Sequence, residues 1–117
     1  VVKDWYAQEL GIVLPHFDQG EEGWWNDPDS TFSPYEDPKN LKAAQLVRVS
    51  GLPTKKGDIA VMEIRAKSSK PNHLAVLSNP DKNEMIHHPY QGLSVPTIFN
   101  EYYQHATRFT LRHKSNV

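Results

Sequence analysis

The chain has 117 residues, the size of one ordinary domain with a single modest core. Its 13 basic residues nearly balance 14 acidic ones, which argues against a partner recognised through a strong basic field, such as nucleic acid. No apolar run approaches the roughly 20 residues of a membrane span, and with no cysteine the 117 residues hold neither a disulfide, nor a thiolate metal ligand, nor a thiol nucleophile.

In chain order, residues 1–11 read as a helix already under way. Val2, Trp5, Tyr6 and Glu9-Leu10 follow the i, i+3, i+4 spacing, and Gly11 is a plausible stop. Val1 has no capping residue before it, so we expect the parent protein to extend upstream of this helix. Ile12 to Pro15 is a short extended piece ended by proline. Residues 16–40 form a long polar loop within one domain spanning 1–117. It carries His16, the acidic Glu21, Glu22, Asp27 and Asp29, and the adjacent Trp24 and Trp25. Such large aromatics seek something to cover. The acidic side chains are expected to be solvated. A short helix is predicted over 40–45 and strands over 46–49, 58–64, 73–77 and 83–88. Polar turns at 51–57, 67–72 and 78–82 separate the last four segments. Residues 97–104 look helical. Residues 108–112 alternate charged or polar with apolar side chains, as a half-exposed strand does. The pattern is α+β, with a helix packed on a mostly antiparallel sheet.

Three of the six histidines fall on neighbouring predicted strands. A turn centred on Pro80 sets His73 directly opposite His87, with both side chains on one face of the sheet and His88 on the other. A slip of one residue would exchange His87 and His88. Three roles fit this placement. The histidines can be polar strand residues with satisfied hydrogen bonds. They can be metal ligands, although no HxH or HExxH spacing is present and His105 or His113 would join only through the fold. Or His73 can be a general base whose ring is oriented by His87. The third role lacks a nucleophile: the serines at 30, 33, 50, 68, 69, 78 and 94 fall in predicted loops or turns, and none occupies a GxSxG elbow.

Five segments, taken together and in order, resemble the NlpC-type papain-like cell-wall peptidases. They are Val1-Val2-Lys3-Asp4-Trp5-Tyr6, Gly23-Trp24-Trp25, Gly57-Asp58-Ile59, Asn72-His73-Leu74-Ala75-Val76 and Met85-Ile86-His87-His88. Within that group the chain is most similar to the tail-tip peptidases of lambda-like siphophages, and the likeness extends to the ending Tyr102 to His113. The resemblance implies a papain-like fold and a peptidoglycan endopeptidase that cuts stem peptides, between D-glutamate and diaminopimelate. It implies a cysteine nucleophile just upstream of Val1, outside this chain, at a helix start where the dipole favours thiolate. His73 would then be the base and His87 its orienter. Trp24, Trp25, His88 and Tyr90 would be candidates for a substrate cleft; the plainer roles are a loop covering the sheet or helix edge for the tryptophans, a solvent-edge aromatic for Tyr90 and a bystander for His88. The resemblance implies no cofactor and no metal. It implies stem peptide and other tail-tip proteins as partners, in a virion component made in the host cytoplasm and acting at the cell wall. Gly57-Asp58 is expected to be a structural turn. A catalytically silent part of the tail tip is the alternative.

Overall fold

The computed structural model describes residues 2–15, 36–64, 73–87 and 95–116. The first helix is α-helical over Val2–Trp5 (α1) and widens into a π-helical turn over Tyr6–Leu10. Val2, Trp5 and Tyr6 are buried, as the i, i+3, i+4 stripe requires. Glu9 and Leu10, expected to continue the stripe, are exposed within the widened turn. Gly11 ends the helix in the left-handed region, at φ 66°.

Helix α2 spans Pro38–Ala44, two residues earlier than the sequence suggests, because Asp37 caps it and Pro38 has no N–H to leave unsatisfied. The strands are β1 (Leu46–Val49), β2 (Ile59–Met62), β3 (His73–Asn79), β4 (Glu84–His87), β5 (Val95–Ile98) and β6 (Thr107–His113). The short helix α3 spans Glu101–Ala106. These six strands of the described residues join one antiparallel sheet in the order β1-β6-β2-β3-β4-β5. The domain is therefore α+β, and the helix-on-antiparallel-sheet arrangement is present.

Residues 97–98 are strand, not helix: β5 pairs with β4, and the helix starts only at Glu101, where the Asn100 side chain accepts the Tyr103 N–H. Ser78 lies in β3 rather than in a turn, and its hydroxyl donates to the Glu84 backbone carbonyl at 3.2 Å. Strand β6 is interior, between β1 and β2, so Phe109, Thr110 and Leu111 are all buried. Its polar residues alternate as predicted, but Thr110 donates to the Gly51 carbonyl at 2.8 Å and Arg112 pairs with Asp58. Partners within the protein take the place of solvent.

Each sheet face has its own apolar cluster. One gathers Val2, Trp5 and Tyr6 from the first helix with Leu46, Ile59, Val61, Val76, Phe109 and Leu111. The other gathers Ala60, Met62, Ala75, Met85 and Phe99, with Tyr103 and Ala106 of α3 packed against it. The period-2 alternation of a strand produces this split. In β2, Ile59 and Val61 face the first helix, whereas Ala60 and Met62 face α3.

Candidate functional site

The β3–β4 hairpin brings the two candidate histidines together. Its register differs from the one expected: Ala75, not His73, stands opposite His87. The connection is a turn of 3₁₀ helix over Pro80–Lys82 followed by Asn83 at φ 51°, and the ladder bulges between Leu77 and Asn79. This moves the pairing two residues along β3. An even shift keeps every side chain on its face, so His73 and His87 remain on the same side as diagonal neighbours. Diagonal neighbours are within reach of long side chains, and here the rings meet. His73 Nε2 lies 2.9 Å from His87 Nδ1 in a hydrogen bond. The ring centroids are 5.2 Å apart and the planes nearly perpendicular, at 87°.

The environments of the two rings differ. His73 is the first residue of β3 and is half-buried, whereas His87 is only 4% exposed. Both lie on the sheet face covered by α3, because His87 shares its face with Ala75 and Met85. Tyr103 of α3 packs edge to face on His87, with ring centroids 5.2 Å apart. The first helix covers the other face.

The bond fixes a division of labour. One of the two facing nitrogens carries the proton and the other accepts it. If both rings were cationic, two N–H groups would face each other and the bond would be lost. The pair therefore holds its geometry with at most one positive charge. Chemically it can serve as a base with one nitrogen anchored, which is what a proton-shuttling imidazole needs. The other histidines do not converge on it. His113 is buried on the face of the first helix, beside Tyr6, and its Nδ1 accepts the Ser115 hydroxyl at 2.8 Å. His105 is exposed on α3. Among the described residues no three His, Cys, Asp or Glu side chains gather as a metal would require. An open groove beside α3, lined by Glu63, Ile64, Glu101, Tyr102, His105 and Ala106, contains neither His73 nor His87. Trp24, Trp25, His88, Tyr90 and His16 lie outside the described residues.

Gly57-Asp58 is a structural junction. Asp58 is fully buried and holds the Arg112 guanidinium by a fork, Nε to Oδ1 and Nη2 to Oδ2, both at 2.8 Å. It also accepts the Thr54 and Lys55 amides at 3.0 Å. Burial pushes its pKa up, but the Arg112 fork and the two amides outweigh this and hold the carboxyl below its ordinary value. Tyr6 donates its hydroxyl to the Gly57 carbonyl. Burial first, and the Asp58 charge second, push that hydroxyl's pKa well up, so it stays a donor. The Asp58–Arg112 pair bridges 54 residues of sequence, and no local pattern announces it. Tyr103 likewise reaches the site only through the docking of α3 on the sheet, which no local pattern announces. No α-helix among the described residues is long and apolar enough to cross a membrane.

No protein-family model, curated protein or solved structure matches this chain.

Proposed function

We propose that this domain is the greater part of a papain-like NlpC-type cysteine endopeptidase of cell-wall stem peptides, used by a phage tail tip in assembly or in reaching the cell. The observation that supports this most is the hydrogen bond between His73 Nε2 and His87 Nδ1 on adjacent strands. In this mechanism a cysteine upstream of Val1 is held as thiolate by His73. It attacks the amide carbonyl, and the resulting acyl-enzyme is released by water. His73 commits Nε2 to His87, so Nδ1 is the nitrogen that addresses the sulfur and then passes the proton to the leaving amine. His87 accepts at Nδ1 and keeps the imidazolium ring in plane. Trp24, Trp25, His88 and Tyr90 are the candidates for contacts with the stem peptide. The first helix covers the sheet face opposite the histidines. The sulfur must therefore meet His73 around the end of β3, where His73 is the first residue.

The alternative is a silent structural component of the tail tip. It is favoured by one observation: His87 is buried, with Tyr103 packed on its ring, in surroundings that would stabilise a purely structural histidine pair. Digestion of purified peptidoglycan by the full-length parent separates the two. Release of stem-peptide fragments that is lost in His73→Ala supports the peptidase. An intact parent that releases nothing supports the structural part.

A further inference from the structure

We propose that Tyr103 is a positioning residue for the histidine pair: its ring sets the plane of His87, and His87 sets that of His73. This rests on the assignment of His73 as base and His87 as orienter. An orienter is useful only if its own ring is held, since an imidazole free to turn about its outer torsion puts Cδ2 where Nδ1 stood, and with that bond lost nothing fixes its tautomer. Tyr103 meets His87 edge to face, at 5.2 Å between centroids and 69° between planes. A wall of this kind resists ring rotation as well as displacement.

Tyr103 is itself fixed on three sides. Its amide donates to Asn100 Oδ1 at 3.3 Å, and its carbonyl accepts the Thr107 hydroxyl at 2.8 Å. Tyr102 packs edge to face on its ring at 5.1 Å. The base of α3 is tied to the β3–β4 hairpin as well, because the Phe99 carbonyl accepts both Asn83 Nδ2 and Gln104 Nε2 at 2.8 Å. The helix that presents Tyr103 is thus anchored to the hairpin that presents the histidines. A row of rings runs from Tyr102 through Tyr103 and His87 to His73.

The test uses the full-length parent protein, labelled with ¹⁵N, and long-range proton–nitrogen correlation of the imidazoles at one pH where both rings are neutral. The expected result is two well-separated ring-nitrogen resonances for His87, the mark of a single tautomer. Tyr103→Phe keeps the ring and should leave them in place. Tyr103→Leu should draw them together toward a tautomer average, and Tyr103→Met is read in the same way if a thermal melt shows Tyr103→Leu unfolded. Phe99→Leu, a loosening of the same cluster, should not reproduce the effect. Unchanged resonances in the Leu or Met variant, or an equal change in Phe99→Leu, would overturn the role of Tyr103. An averaged tautomer already in the unaltered chain would instead overturn the base-and-orienter assignment on which it rests.

Discussion

His73 has one ring nitrogen on His87, and under the proposed mechanism the other must carry the chemistry. Replacing His73 by alanine in the active parent should lower kcat by at least ~100-fold, the lower end of what a positioned general base contributes. His87→Ala keeps the base and loses its support, so the fall should be smaller; stem-peptide release rates measure both. The Asp58–Arg112 pair makes a different prediction, about stability. Asp58→Ala leaves a guanidinium without its carboxylate and should cost about 3–5 kcal/mol, read from denaturant midpoints. The sign with pH follows from the depressed carboxyl pKa. Its stabilisation is complete above the unfolded value of roughly 4 and is lost as pH falls through the lower folded value. The difference between the protein and Asp58→Asn should therefore shrink only in that acid window.

At the scale of elements, what was legible is what rests on local periodicity. Strands β1 to β4 lie within two residues of where their apolar runs and turn signals put them, and the parity of His73 and His87 survived because an even register shift leaves faces unchanged. What was not legible depends on partners far along the chain. Val95-Pro96-Thr97-Ile98 has a proline and no clean alternation, yet it pairs as the sheet's edge, where proline is tolerated. Thr110 and Arg112 read as solvent-facing because their acceptors, Gly51 and Asp58, lie more than fifty residues away. Two element-level tests follow. Asn100→Ala removes the cap of α3 and should cost about 1 kcal/mol. Gly57 sits at φ +93°, and a Cβ there would lie 3.3 Å from Leu10 Cδ1. Gly57→Ala should cost at least about 1–2 kcal/mol from the backbone alone. Thermal or denaturant melts check both.

At the largest scale, the described residues form one sheet with two separately packed faces, the first helix on one and the histidines with α3 on the other. That division constrains the proposed chemistry more than any single residue does: a thiolate at the start of the first helix has to reach His73 past the strand end, not through the sheet. The most direct measurement is therefore the pH dependence of alkylation, by iodoacetamide, of the cysteine proposed to precede Val1 in the parent protein, with and without His73→Ala. Pairing with His73 predicts alkylation that persists well below the ordinary thiol pKa of about 8.5 and returns toward that value in the variant. A parent with no cysteine before Val1, or a profile that His73→Ala leaves unchanged, would contradict it.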